Sequence, residues 1–202
     1  VKFINLPMNT AIVFVHGAYS SSNSFNYIKH CCQFDNVINL DYSISKKFTA
    51  NLEIMKSTLE FFDDPLFFIG HSLGGIYALH LADHFNDRCQ GGITLSTPYG
   101  GSQLADFLKY FVANDHFYRE IGTHGDPITQ AEEINIQWPW INLISTRGQV
   151  PWIIGNNDGV VSISSMTCNQ TMEITNIDAT HHEILMHEDT INIILERTKH
   201  LK

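Results

Sequence analysis

Apolar and polar positions along the 202-residue chain alternate between two patterns. Short runs that are apolar at every position mark strands buried on both faces, and longer stretches with apolar residues three or four apart mark helices. Ala11-Ile12-Val13-Phe14-Val15 is the first run and ends in His16-Gly17. Val37-Ile38-Asn39-Leu40 is the second, and residues 49 to 62 follow it with Leu52, Met55, Leu59 and Phe62 at helical spacing. Pro65 ends that helix, and Leu66-Phe67-Phe68-Ile69 is the third buried strand. From Ser72 to Phe85 the residues Leu73, Ile76, Tyr77, Leu79 and Leu81 crowd as in a helix covered on most sides. Ile93-Thr94-Leu95 is the fourth strand, Trp140 to Ser145 the fifth, Met172 to Ile177 the sixth, and residues 188 to 201 close the chain as a helix. Residues 98 to 139 carry no clear strand and read as an excursion with one or two short helices. Strands alternating with helices imply a mostly parallel sheet of about six strands with right-handed crossovers. A single domain over residues 1–202 is expected, with 99–139 as an excursion that forms a small lid or part of the core.

Gly70-His71-Ser72-Leu73-Gly74 changes this picture from architecture to chemistry. It is a G-x-S-x-G pentapeptide that follows a buried strand and opens an apolar helix, the setting in which a sharp turn presents a serine hydroxyl bare to a base. Glycines two residues before and after Ser72 remove side chains that would collide where strand and helix pack closely. The competing assignment for Ser72 is an ordinary helix N-cap. His16 reads as a residue that holds its loop, and His30, His80, His84 and His200 lie on stretches that read as helical surface. His71 neighbours Ser72, but its side chain is expected to point away from the attacking hydroxyl.

Gly70-His71-Ser72-Leu73-Gly74-Gly75 resembles the nucleophile elbow of lipases and esterases of the α/β-hydrolase superfamily. Val13-Phe14-Val15-His16-Gly17-Ala18 resembles the superfamily's strand-end His-Gly motif, and Ser96-Thr97-Pro98-Tyr99-Gly100-Gly101-Ser102 resembles a stretch of small bacterial lipases. The resemblance implies an α/β-hydrolase fold with minimal or no cap domain, and an oxyanion hole made by the backbone N–H groups of Ala18 and Leu73. Asn156-Asn157-Asp158-Gly159-Val160-Val161-Ser162 resembles the loop that carries the lipase acid, which implies Asp158; Asn-Asp-Gly is also a strong turn signal. In Ala179-Thr180-His181-His182-Glu183-Ile184-Leu185-Met186 the lipase-like pattern aligns His182 with the base, with His181 as the alternative. One departure stands out: residues 148–157 lengthen the interval before Asp158, so either the strand continues through Trp152-Ile153-Ile154 or a local insertion intervenes.

The implied activity is two-step hydrolysis of a carboxylic ester by Ser72, Asp158 and His182 through an acyl-enzyme, with no cofactor and no metal. A thioesterase or amidase fits the same residues, and a non-catalytic ligand-binding protein on the same fold is the rival from another class. Tyr19, His71, Phe107 and Phe111 are the candidate substrate contacts, within an excursion that also holds Leu108, Tyr110, Val112, Phe117 and Tyr118. Asp115, Asp126, Glu132 and Glu133 are carboxylates of that excursion without a calcium-loop motif.

Composition and charge remove other classes. A formal net charge of -9 repels a phosphate backbone, so nucleic acid is not an expected partner; a small-molecule ester is. No run of eighteen apolar residues exists, so no transmembrane segment is expected. Cys31, Cys32, Cys89 and Cys168 lack both disulfide-framework and zinc spacing and read as small buried thiols of a reducing compartment. Val1-Lys2-Phe3-Ile4-Asn5-Leu6-Pro7 lacks the regions of a secretory signal, which favours a cytoplasmic location, with secretion after processing as the alternative.

Overall fold

The computed structural model describes residues 9–108, 116–169 and 171–199. Six parallel strands form one sheet in the order β2-β1-β3-β4-β5-β6: β1 Ala11–Val15, β2 Val37–Leu40, β3 Leu66–His71, β4 Cys89–Leu95, β5 Trp140–Ser145 and β6 Glu173–Ile177. The helices in chain order are α1 Asn26–Cys32, α2 Phe48–Leu59, α3 Leu73–His84, α4 Gln103–Leu108, α5 His116–Glu120, α6 Asp126–Glu133, α7 Ile163–Met166 and α8 Glu188–Thr198. No helix among the described residues is long and apolar enough to cross a membrane.

The two-residue period of a strand divides the core in two. Val13, Val15 and Phe68 point to the face covered by α2, α3 and the excursion, where Met55, Leu59, Ile76, Leu79 and Ile128 are buried. Ile12, Phe14, Phe67 and Ile69 point to the opposite face, covered by Ile28 of α1 and by Ile191 and Ile194 of α8. Every residue of β1, β3 and β5 is buried, which is why those runs are apolar at nearly each position. The winding follows from the right-handed rule: the chain steps from β1 to β2 on one side and then returns to place β3 on the other. The strand order therefore reverses at β1, and loops leaving β1 and β3 open a crevice at the sheet's C-terminal end.

Several elements differ from expectation: β4 begins at Cys89 rather than Ile93, and the described residues of the excursion carry three short helices, α4, α5 and α6. Helix α2 ends at Leu59, so Phe61 is exposed, because the chain must turn through Asp63, Asp64 and Pro65 into β3. The Arg88 guanidinium satisfies that exit by donating to the carbonyls of Leu59 and Asp64. Helix α1, the helical stretch expected around His30, is short: it buries only Ile28 and Cys32 and stops at Gln33 in a left-handed conformation. Residues 148–157 form a loop, so the insertion is correct and the continued strand is not; Trp152 and Ile154 are exposed. Asn157 knits this loop: its side-chain N–H donates to the carbonyls of Val150 and Gly155, and its oxygen accepts from the N–H of Val150 and Gly159. Cys32 and Cys89 are buried as expected, whereas Cys31 is half-buried and Cys168 is exposed; all four are free thiols.

The close contact of α3 with β1 can be tested directly. A Cβ on Gly74 would stand 2.0 Å from the carbonyl oxygen of Val15, a main-chain atom that cannot rotate away, whereas a Cβ on Gly155 meets nothing within 4 Å. Gly74→Ala should cost about 2–3 kcal/mol, and Gly155→Ala only the roughly 1 kcal/mol of its left-handed conformation. At about 2–4 °C per kcal/mol for a chain of this size, thermal melts should separate the two variants clearly.

Candidate functional site

Ser72 joins β3 to α3 with φ 53° and ψ −126°, a conformation an L-residue adopts only when its surroundings enforce it. Its N–H donates to the Leu95 carbonyl at 2.8 Å, and its own carbonyl accepts from the Gly75 N–H at 2.9 Å. It occupies the N-cap position of α3 but makes no side-chain capping hydrogen bond, so the N-cap assignment does not account for the hydroxyl. The turn closes only because side chains are missing around it: a Cβ on Gly70 would lie 2.6 Å from the Gly75 Cα. Leu73 is the first residue of α3, where an N–H has no intrahelical acceptor and the helix dipole favours negative charge.

Gly17 and Ala18 leave β1 directly opposite Ser72; a Cβ on Gly17 would lie 3.1 Å from the Ser72 Cβ. His16 holds this loop as expected. Its Nδ1–H donates to the Gly17 carbonyl at 2.7 Å, and its Nε2 accepts from the Tyr42 N–H at 3.3 Å, with the His16 and Tyr42 rings stacked 4.4 Å apart.

Asp158 is buried, and each carboxylate oxygen has its own donors. Oδ1 accepts from the N–H groups of Val160 and Val161 at 2.9 and 2.7 Å. Oδ2 accepts from His181 Nδ1–H at 2.6 Å and from the Ser145 hydroxyl at 2.5 Å. Burial pushes this carboxyl up, but the hydrogen bonds and proximity of His181, with those from Ser145 and Val161, outweigh it and hold Asp158 below the ordinary aspartate range. Ser145 is itself reached by Ser96 at 2.6 Å; with the Ser145 proton committed to Asp158, Ser96 donates and Ser145 accepts.

The imidazole that Asp158 holds is His181, the alternative of the pair, and not His182, which the lipase-like pattern aligns. Adjacent residues of a turn point in different directions, and here the first of the pair turns inward to reach the carboxylate while His182 stands on the exposed side. His181 is fastened at its main chain as well: its N–H donates to the Asp158 carbonyl at 3.2 Å. With Nδ1–H donating to Asp158, Nε2 carries the lone pair. His182, 5.2 Å away between ring centres, is pushed below the usual histidine value by desolvation and by His181. Glu183 braces the same turn, accepting from the Thr180 N–H and from Arg147. Those bonds hold its carboxyl down at about 2.

Ser72, His181 and His182 share the wall of a cavity of about 460 Å³ with Ala18 and Leu73. The excursion supplies much of the remaining wall through Ala105, Phe117, Ile121 and Ile128. Tyr19 lines the cavity too; its hydroxyl lies 3.0 Å from that of Tyr118 of α5. His71 borders the cavity but is buried, and its Nε2 is engaged by the His181 carbonyl. Phe107 falls on α4, with its side chain outside the description, and Tyr110, Phe111, Val112 and Asp115 lie outside the described residues. Among the described residues no group of three or more His, Cys, Asp or Glu side chains is arranged to hold a metal ion.

Phe117 and Tyr118, named with the excursion's aromatics, line the cavity, and Ser145 joins the anticipated residues behind it. Ser145 had a signal available in the sequence: it ends a predicted strand, where side chains meet the crevice.

No protein-family model matches the chain, and no curated protein is similar to it in sequence. Solved structures are similar in shape. A lipase of Bacillus licheniformis in its mature form matches with a TM-score of 0.67 and 21% identity over 94% of this chain and 91% of that one. A monoacylglycerol lipase of Paleococcus ferrophilus matches with a TM-score of 0.68 and 17% identity over 98% and 97%. One of two metagenome-derived lipolytic enzymes matches with a TM-score of 0.67 and 16% identity over 96% and 94%. Together with six parallel strands that reverse order at β1 and a serine at a strained strand-to-helix turn, these matches establish that the chain has the α/β-hydrolase fold.

Proposed function

We propose that the protein is a serine hydrolase that cleaves carboxylic esters through an acyl-enzyme. The observation that carries this reading is the buried hydrogen bond from His181 to Asp158, with His181 lining the same cavity as Ser72. Similarity of shape to proteins named as lipases supports it.

In this reading His181 Nε2 takes the proton of the Ser72 hydroxyl as its oxygen attacks the ester carbonyl carbon. Asp158, kept ionised by its four donors, fixes the tautomer and stabilises the imidazolium that forms. The negative charge on the tetrahedral oxygen is met by the N–H groups of Ala18 and Leu73, the latter reinforced by the N-terminus of α3. His181 then protonates the leaving alcohol oxygen as the C–O bond breaks, and water repeats the sequence on the acyl-enzyme. The apolar side chains of Phe117, Ile121, Ile128, Val161 and Leu185 suit the acyl chain. The excursion over residues 99–139 then acts as the cavity's wall rather than as a separate cap.

Replacing the nucleophile or the base should be decisive. Ser72→Ala and His181→Ala should each fold and lower kcat for a nitrophenyl ester by about 10⁴-fold or more. Ser72→Ala should also lose covalent labelling by a fluorophosphonate. His182→Ala should stay within about tenfold of wild type; an equal collapse would return the base to His182. Parallel assays with a thioester and an anilide decide the leaving group.

The pH profile carries a second expectation. Burial pushes His71 down to about 3, and desolvation with the His181 charge lowers His182. Asp158 stays ionised through its hydrogen bonds to His181, Ser145 and Val161. With Asp158 ionised, log(kcat/KM) should fall toward acid pH as the base loses its free lone pair. His182→Gln should leave the midpoint of that fall in place.

Acyl length should be read by the cavity. Each CH₂ buried contributes about 0.8 kcal/mol, roughly fourfold in kcat/KM, so activity should climb from C2 esters and level once the chain outgrows the cavity. A steady decline from C2 would assign the cavity to the alcohol instead.

A further inference from the structure

His71 is the residue of this site whose placement the proposed reaction leaves unused. It ends β3, immediately before Ser72, and its ring lies in the small space where three loops meet. Its Nε2–H donates to the main-chain carbonyl of His181 at 2.9 Å, a fully buried bond between residues 110 apart in sequence. The other ring nitrogen has no hydrogen-bond partner and faces the loop after β1: a Cβ placed on Gly17 would stand 2.9 Å from it. One ring therefore touches the segment before Ala18, the turn of Ser72 and the loop of His181.

Those contacts complete a pattern at His181. Its N–H is held by the Asp158 carbonyl, its Nδ1–H by the Asp158 carboxylate and its carbonyl by His71, which leaves Nε2 as its one polar atom not bonded among the described residues. A residue fixed at three points can neither slide along its loop nor rotate its ring without breaking a buried hydrogen bond. We propose that His71 is a positioning residue for the ester hydrolysis, setting the distance from His181 Nε2 to the Ser72 hydroxyl by holding the His181 carbonyl against the elbow. The inference rests on reading Ser72 as nucleophile and His181 as base.

The geometry demands a neutral ring with its proton on Nε2, since Nδ1 has nothing to donate to. The titratable groups that face the ring are His181, His182 and Asp158. Burial is the largest influence, followed by the His181 charge, and they keep the ring neutral despite the hydrogen bond to the His181 carbonyl and the Asp158 carboxylate. A buried imidazole that must stay neutral suits a strut and not a proton carrier.

The test compares wild type with His71→Leu and His71→Gln on a short acyl nitrophenyl ester, with thermal melts and ring nitrogen NMR of wild type. A misplacement of about 1 Å costs on the order of 10²-fold, so His71→Leu should lower kcat by about that factor while KM changes less than about threefold. Fluorophosphonate labelling of Ser72 should slow in parallel. His71→Gln keeps a side-chain N–H near the place of Nε2–H and should recover kcat to within about tenfold of wild type. His71→Leu as active as wild type, or His71→Gln no better than a folded His71→Leu, would overturn the proposal. Should His71→Leu fail to fold, wild type decides through the ring: a neutral Nε2–H tautomer with a slowly exchanging proton at about pH 5–9 supports it, and an Nδ1–H tautomer or protonation near the ordinary value of about 6.5 overturns it. Wild type with neither turnover nor labelling overturns the hydrolase reading and this inference together, whereas a failure confined to the His71 variants overturns this inference alone.

Discussion

The whole site hangs on a reversal of direction within one residue. At Ser72 a strand buried on both faces becomes a helix buried on most of its surface, and the backbone takes φ 53° and ψ −126° to do so. A conformation of this kind costs on the order of 1–3 kcal/mol and persists only where the surroundings leave no alternative. Those surroundings are packed against the turn without room for a methyl group. Gly74 sits so near the Val15 carbonyl, and Gly75 so near the Thr97 side chain, that a Cβ at either would stand 2.0 Å or less from them. Retreat of α3 would open the core around Ile76 and Leu79, so apolar packing far from the serine is what holds the turn.

A second constraint is the buried polar chain behind it. Ser96, Ser145, Asp158 and His181 run in sequence from the end of β4 through the end of β5 to the loop after β6. A buried carboxylate is expensive unless its acceptors are filled, and here two N–H groups, a hydroxyl and an imidazole fill them. Because Ser145 ends a strand and Ser96 adjoins one, the carboxylate is located by the sheet itself although its own residue sits in a loop. The inserted stretch over residues 148–157 can therefore be long without loosening the carboxylate. Asn157 fixes the insertion internally, and Ser145 fixes the Asp158 carboxylate at its end.

The strands and the elbow were legible in the sequence because burial on both faces leaves few polar positions and because glycines must stand where main chains touch. The Asp158 loop was marked by its motif. Which imidazole reaches that carboxylate was not: His181 and His182 are adjacent in a turn, where no period distinguishes inward from outward. The decision lies with the reach of Asp158 across 23 residues of sequence. The same limit hid the hydroxyl contact of Tyr118 with Tyr19 and the partners of Ser145, which are set by tertiary contact. Substrate contacts were the least legible, since an aromatic at helical spacing reads alike whether it faces a cavity or a core. Phe117 and Ile128 do both: they belong to the main apolar cluster and also line the cavity.

That double duty divides the molecule in a way that matters for function. Ser72, Asp158 and His181 are located by strand ends and by hydrogen bonds between neighbouring loops, so their geometry does not depend on what fills the excursion. The cavity's far wall is built from short helices, α4 and α5, of six and five residues, which are too short to be stable alone and take their order from packing. Sequence change there alters the shape offered to a substrate while leaving the elbow and the Asp158–His181 bond in place. The Tyr19–Tyr118 hydroxyl contact joins the loop after β1 to that wall. Tyr19 follows Ala18 directly and is itself held at φ 56°, so a shift of α5 reaches the loop that carries the Ala18 N–H by way of one aromatic side chain.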